Sequence, residues 1–78
     1  MTKNSHDQYG KLHTIKEIAQ VETDWGVYYS VYVDARGLYW YDLDDDGFNI
    51  QKADAGTKEE AIAELKAYLN SIEDEYDL

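Results

Sequence analysis

Three short segments rich in β-branched and aromatic residues form the clearest pattern along the chain. Loops that end in glycine separate these segments, which span residues 26–33, 38–43 and 48–52. Short runs of this composition joined by tight turns are typical of an antiparallel β-meander. Residues 12–23 are ambiguous, because their apolar positions fit one face of a short helix and also fit a first strand. Helix and strand both remain open for this segment.

Residues 57–72 predict an amphipathic helix. Thr57 is a suitable N-cap and Glu60 stands at the third helical position, which makes a capping box. An apolar stripe follows at helical spacing, formed by Ala61, Ile62, Leu65, Tyr68, Leu69 and Ile72. The sequence thus predicts an α+β fold: a three- or four-stranded antiparallel β-meander packed against one C-terminal α-helix, with a short N-terminal helix as an option. Residues 12–72 form the single domain, between a flexible N-terminal arm at 1–11 and an acidic tail at 73–78.

Side chains alternate between the two faces of a strand, so the sequence also predicts which residues lie together. If both hairpin loops contain an even number of residues, one face carries Val27, Tyr29, Val31, Val33, Leu38 and Trp40. The opposite face then carries Tyr28, Ser30, Tyr32, Tyr39, Tyr41, Leu43, Phe48 and Ile50. We expect the helix to cover the valine and tryptophan face. The tyrosine-rich face is then either open to a protein partner or covered by the N-terminal segment.

The composition excludes several classes of protein. The chain has 78 residues and no cysteine, so it has no disulfide, thiolate metal site or cysteine nucleophile. Eight Tyr and two Trp supplement a small set of aliphatic residues and predict an aromatic-rich core. No apolar run reaches the roughly 20 residues of a membrane span. The N-terminal residues are too polar for a signal peptide. We expect a soluble, cytoplasmic protein.

The net charge of −10 is concentrated in the second half of the chain. Residues 42–78 contain twelve acids and three bases, whereas residues 1–41 contain five acids and four bases. Such a chain repels nucleic acid and anionic membranes, and it attracts basic protein surfaces. The acids are either a solvated surface that keeps a small protein in solution or a spaced anionic array that resembles a phosphate backbone.

Motifs for catalysis or metal binding are weak. Residues 42–47 match the first half of a calcium loop, but Ala53 stands where that loop needs a bidentate Glu. An acidic hairpin turn is the simpler interpretation. The two histidines, His6 and His13, lie in or beside the N-terminal arm and match no catalytic motif. The sequence predicts no enzyme, no cofactor and no bound metal.

The plan of residues 26–72 and the acidity of residues 42–78 together resemble the small acidic anti-CRISPR and anti-restriction proteins of phages and mobile elements. The resemblance implies a non-enzymatic DNA mimic in the cytoplasm of a bacterial host cell. Such a protein, as a monomer or a homodimer, occupies a basic surface of a Cas, restriction or nuclease complex and does not bind nucleic acid itself. The alternatives are an immunity protein or antitoxin that plugs a basic nuclease toxin, and a small calcium-binding or housekeeping module.

The candidate partner-binding residues combine the acidic turn, the helix acids and the tyrosine-rich face. They are Asp42, Asp44, Asp45, Asp46, Glu59, Glu60, Glu64, Tyr28, Tyr32, Tyr39 and Tyr41. The carboxylates are expected to meet the cationic groups of the partner, and the tyrosines to supply apolar contact area.

Overall fold

The described part of the chain consists of five β-strands followed by one helix, which confirms the α+β prediction. We describe residues 2–6, 10–44 and 49–76 of a computed structural model, with the side chains of 3–6, 10–44 and 49–72. The elements are β1 (Thr2–His6), β2 (Leu12–Glu22), β3 (Tyr28–Asp34), β4 (Tyr39–Asp42), β5 (Ile50–Lys52) and α1 (Lys58–Tyr76). Each strand pairs antiparallel with the next in one sheet of order β1-β2-β3-β4-β5, as a meander requires.

The ambiguous segment at 12–23 forms a strand, β2, and not a helix. The register with β3 shifts between Glu17 and Ala19, so a bulge interrupts the alternation of side chains. Ile15 consequently lies in the core on one face of the sheet, whereas Ala19 and Val21 pack on the other face. Because of this change of face, the apolar residues of β2 are not spaced by two throughout, and their spacing also fits one face of a helix.

The prediction of a loose N-terminal arm is wrong for residues 2–6, which form β1. This strand pairs with β2 from Thr2 opposite Lys16 to His6 opposite Leu12. The Thr14 hydroxyl donates a hydrogen bond to the Asn4 side-chain oxygen at 3.0 Å across the pair. The side chains of β1 are mostly polar, so the hydrophobic pattern of the sequence does not predict this strand. Backbone pairing with β2 at the sheet edge holds it in place.

Asp34 and Leu38 face each other at the β3–β4 connection, so the loop between them has three residues, 35–37, and not an even number. The Asp34 N–H donates to the Leu38 carbonyl at 2.9 Å, and the Gly37 N–H donates to the Asp34 carbonyl at 3.0 Å. Gly37 has a φ angle of +81°, the left-handed conformation that a three-residue hairpin loop requires at its last position. The odd loop moves every side chain of β4 to the face opposite the predicted one.

Trp40 and Tyr41 therefore exchange faces relative to the prediction. Tyr41 lies opposite Val31 in the sheet, and Trp40 lies opposite Tyr32. The expectation that the helix covers Trp40 is wrong, as is the expectation that Tyr39, Tyr41 and Leu43 lie on the other face. The face assignment of β3 itself is confirmed.

Two apolar clusters hold the fold together, one on each face of the curled sheet. The helix face is the side covered by α1, and its buried residues are Val21, Tyr29, Val31, Tyr41, Ala53, Ala61, Leu65 and Leu69. The opposite face buries Ile15, Tyr32 and Trp40, with Ile50 packed against them. Ring contact between His13 and Trp40, with centroids 5.8 Å apart, extends this second cluster toward β1.

The helix begins as the capping box predicts and runs further than predicted. The Glu60 N–H donates to the Thr57 hydroxyl at 3.2 Å, while the Glu60 carboxylate accepts from the Gly56 N–H at 3.0 Å. The predicted helix ends at residue 72, but α1 continues to Tyr76, so residues 73–76 of the expected acidic tail are helical. Residues 77–78 lie outside the described part of the chain.

Candidate functional site

The carboxylate of Asp34, which the sequence analysis did not single out, closes the β3–β4 turn. One oxygen accepts from the backbone N–H groups of Arg36 at 2.9 Å and Leu38 at 3.1 Å. The other accepts from Arg36 Nη2 at 2.7 Å and from the Trp40 indole at 3.0 Å. Burial alone would raise the pKa of Asp34, but the hydrogen bonds from Arg36, Trp40 and the backbone lower it to about 2. This carboxylate is a structural group.

Asp42 is also buried, so the structure removes it from the candidate partner-binding set. Its side chain accepts from the Ser30 N–H at 2.8 Å and from the Tyr32 hydroxyl at 2.9 Å, and only 5% of the residue is exposed. Desolvation raises the pKa of Asp42, although the hydrogen bonds from Ser30 and Tyr32 and the Lys3 charge oppose this effect. A carboxylate held in this way is not available to a partner.

The four predicted partner-binding tyrosines do not form one exposed surface. Tyr32 and Tyr41 are buried on opposite faces of the sheet, and Tyr39 is half-buried against the helix-face cluster. Tyr28 is the member of the predicted set that is exposed, at 54%. The apolar contact area available to a partner on the described sheet is therefore much smaller than the alternation of side chains suggested.

A row of carboxylates follows the flank along which α1 packs beside β4 and the chain after β5, and we call it the acidic edge: Asp44 at one end of the row, and Asp54, Glu60 and Glu64 toward the other. Glu64 accepts a hydrogen bond from the Asp54 N–H at 3.1 Å, which brings the helix against the chain that follows β5. One turn further along the helix, the Tyr68 hydroxyl donates to the carbonyl of Leu43 at 2.7 Å. This contact places the helix beside the residue that precedes Asp44.

The charges of Glu64 and Asp54 act on the buried hydroxyl of Tyr41 in β4. Burial, then the charge and hydrogen bond of Glu64, then the charge of Asp54 raise the pKa of Tyr41 to about 12. No Lys, Arg or His nitrogen among the described residues lies within 4.0 Å of the Asp54, Glu60 or Glu64 carboxylates. Asp54, Glu60 and Glu64 thus present negative charge that the described residues do not neutralise by direct pairing.

The acidic edge brings together one residue of the predicted turn and two of the predicted helix acids. Glu59 is exposed in the first helical turn but lies 100° around the helix from Glu60, away from β5. Asp45 and Asp46, the other two acids of the turn, lie outside the described residues. Asp54 joins the edge through its position after β5, which only the pairing of that strand reveals.

Charge is also distributed unevenly between the two ends of the sheet. In an antiparallel meander, the β2–β3 and β4–β5 connections lie at one end and the β1–β2 and β3–β4 connections at the other. Glu22, Asp24 and Asp44 stand at the first end, whereas Lys11 and Arg36 stand at the second. The acids of the described hairpin loops are therefore concentrated at the first end, whereas Asp54, which follows β5, stands at the second end with Lys11 and Arg36.

The described residues offer no metal site. Among them, no three His, Asp or Glu side chains are arranged to hold an ion. Asp42, the first position of the half calcium loop, faces Ser30 and Tyr32 and not the turn. The hairpin-turn interpretation of residues 42–47 is consequently the one that this side chain fits.

Comparison with protein-family models, with curated proteins and with solved structures finds no match to this chain. Within the described ranges, no helix is both long and apolar enough to cross a membrane. The argument for function therefore depends on the distribution of charge and exposed side chains described above.

Proposed function

We propose that this protein is a non-enzymatic inhibitor that places its acidic edge on a basic, nucleic-acid-binding surface of a host defence complex, in the manner of an anti-CRISPR or anti-restriction DNA mimic. The observation that carries the proposal is the acidic edge itself. There, α1 packs against the chain that follows β5, and no Lys, Arg or His nitrogen of the described residues lies within 4.0 Å of the Asp54, Glu60 or Glu64 carboxylates.

The positions of two carboxylates in the acidic edge support a binding role. Glu60 accepts a bond from the Gly56 backbone and Glu64 from the Asp54 backbone, so each carboxylate is tied to the main chain. A carboxylate with a fixed position loses less side-chain entropy when a partner binds it. Like charges held side by side repel one another, and a cationic partner relieves that repulsion.

The test is affinity capture from phage-infected or plasmid-bearing bacterial lysate, with partners identified by mass spectrometry. The proposal expects a Cas or restriction complex, and it expects DNA or RNA of that complex to compete with the protein for binding. Capture of a single small basic toxin would instead support the immunity-protein alternative. A partner that binds equally well in the presence of saturating nucleic acid would contradict mimicry.

Variants of the acidic edge show whether the captured partner uses it. Glu60→Gln with Glu64→Gln removes two charges and keeps oxygen acceptors for the Gly56 and Asp54 N–H groups. We expect this variant to capture less of the partner at physiological salt. Glu59→Gln is the matched control, because it removes a charge from the same helix on another flank and should retain capture.

A further inference from the structure

The β2–β3 hairpin carries two aromatic side chains that the rest of the described fold does not cover. Trp25 is 47% exposed and Tyr28 is 54% exposed. The other Tyr and Trp rings whose side chains are described are buried or half-buried. Trp and Tyr are among the residues most enriched at the energetic centres of interfaces, and here two of them stand on one hairpin.

The hairpin turn holds the backbone on both sides of Trp25. The Thr23 N–H donates to the Val27 carbonyl at 2.8 Å, and the Gly26 N–H donates to the Thr23 carbonyl at 3.1 Å. Gly26 adopts a φ angle of +81°, as this three-residue loop requires. The Thr23 hydroxyl also bonds to Val27 at 3.0 Å, both to its N–H and to its carbonyl. Trp25 thus stands at the tip of a well-braced turn.

Two exposed acids flank the aromatic pair. Glu22 lies directly opposite Tyr28 in the β2–β3 ladder, and Asp24 precedes Trp25 in the loop. A hydrogen bond to Glu22, with the charge of Glu22, raises the pKa of the Tyr28 hydroxyl, so the two side chains are in contact. The basic residues Lys11 and Arg36 stand at the other end of the sheet. The tip is therefore aromatic and locally anionic.

We propose that Trp25, Tyr28, Glu22 and Asp24 form a docking surface for an arginine side chain of a protein partner. A guanidinium group stacks on an indole or phenol face and at the same time pairs with a carboxylate. Lysine offers a point charge without the planar face, so it fits this set of groups less well. An apolar partner would bury Glu22 and Asp24 without a counter-charge, which is unfavourable.

This surface lies on β2 and β3, apart from the acidic edge on β4, β5 and α1. The proposal therefore holds whether or not the acidic edge binds a basic partner. It adds a second contact of defined chemistry, one that a partner reaches at the end of the sheet where Asp44 also stands.

The test uses the two indole N–H signals in a proton–nitrogen correlation spectrum of the full chain. The Trp40 indole is buried and donates to Asp34 at 3.0 Å, so its signal is an internal control for the exposed Trp25 signal. The probe is an end-capped Gly-Arg-Gly-Arg-Gly peptide, and its twin contains Lys in place of Arg. We expect the Arg peptide to shift the Trp25 signal, to leave the Trp40 signal in place, and to bind more tightly than its twin.

Variants at the tip connect the shift to the proposed residues. Tyr28→Ala, measured on the same Trp25 signal, should weaken Arg-peptide binding by about 2- to 5-fold, the loss expected for one exposed cation–π contact. Glu22→Gln should weaken it as well. Trp25→Ala, followed through backbone amide shifts of residues 22–28, should weaken binding to a similar extent.

Three outcomes would overturn the proposal. Equal affinity for the Lys twin would show simple charge attraction and no guanidinium recognition. Unchanged affinity in Trp25→Ala would exclude the ring. Loss of the Trp25 shift in Glu60→Gln with Glu64→Gln would show that the peptide binds at the acidic edge. A failed capture experiment with an intact Arg-specific shift would count against the proposed function and leave the tip proposal standing.

Discussion

On the sheet face opposite the helix, Asp34 and Asp42 are buried and accept hydrogen bonds from neighbouring strands, whereas the carboxylates of the acidic edge lie nearer the surface. The bonds at Asp34 and Asp42 come from side chains as well as the backbone. Glu60 accepts from a single backbone N–H group, and Glu64 accepts from one backbone N–H group and interacts with the Tyr41 hydroxyl. Some acids therefore stabilise the fold and others lie at the surface, and the total number of acids does not indicate which are accessible to a partner.

Among the variants that test this comparison, Asp34→Ala should have the largest effect on stability. It removes the acceptor for the Trp40 indole and for two backbone N–H groups, and it leaves the Trp40 donor buried. Breaking a buried, charged network of this kind costs about 3–5 kcal/mol. Urea denaturation should show that loss in the free energy of unfolding. A loss below about 0.5 kcal/mol, the range of ordinary surface changes, would mean that the turn does not depend on Asp34.

Acid titration should distinguish Asp34 by the direction of its pKa shift. A carboxyl group with a lowered pKa stabilises the fold above its ordinary pKa, and that contribution is lost as the pH falls toward the folded value. For Asp34 the folded value is about 2, so its contribution should disappear between about pH 4 and pH 2. Asp34→Asn, compared with the unchanged chain by thermal melts, should lack this part of the acid dependence.

Asp42 should behave in the opposite way, because its pKa is raised. Its protonated form favours the fold, so its contribution is present below the ordinary pKa of Asp and is lost as the pH rises through the raised value. Asp42→Asn should therefore gain stability relative to the unchanged chain as the pH rises above the ordinary pKa of Asp. Asp42→Ala should lose about 1–3 kcal/mol, because Ser30 and Tyr32 lose their acceptor. A pH-independent difference for Asp42→Asn would contradict this reading of burial.

The acidic edge should contribute little to stability, and the sign of its contribution should be unfavourable. Glu60→Gln with Glu64→Gln keeps both backbone bonds and removes two like charges, so we expect a change within about 0.5 kcal/mol. The gain should be greatest at low salt, where the Debye length is about 30 Å at 0.01 M against about 8 Å at 0.15 M. Thermal melts at these two ionic strengths measure it. A loss as large as that of Asp34→Ala would make the edge a structural feature.

Local patterns in the sequence predicted those parts of the fold that local chemistry determines. The Thr57–Glu60 capping box gave the start of α1, and the composition of residues 26–33 gave β3. The faces of β4 were not predictable in the same way, because a change of one residue in loop length reverses the direction of every side chain in the strand. The Gly37 that ends this loop was visible, but a glycine fits loops of several lengths.

The candidate site was predictable only in part, because burial depends on pairing between distant residues. Asp42 and Asp44 are two positions apart in an acidic run, yet one bonds to Ser30 on β3 and the other lies in the turn after β4. Nothing in the sequence of the run distinguishes them. The helix acids were predictable, since the apolar stripe of α1 shows which of its flanks face away from the core.

The measurement that tests the central claim most directly is the salt dependence of binding between this protein and its captured partner. We would compare the unchanged chain with Asp44→Asn, Glu60→Gln and Glu64→Gln combined, and with Glu59→Gln, at several salt concentrations. Circular dichroism would confirm that each variant is folded. We expect the combined variant to bind more weakly, with a shallower decrease of affinity as salt rises, and we expect the control to stay close to the unchanged chain. A folded combined variant with unchanged affinity and salt dependence would contradict the role assigned to the acidic edge.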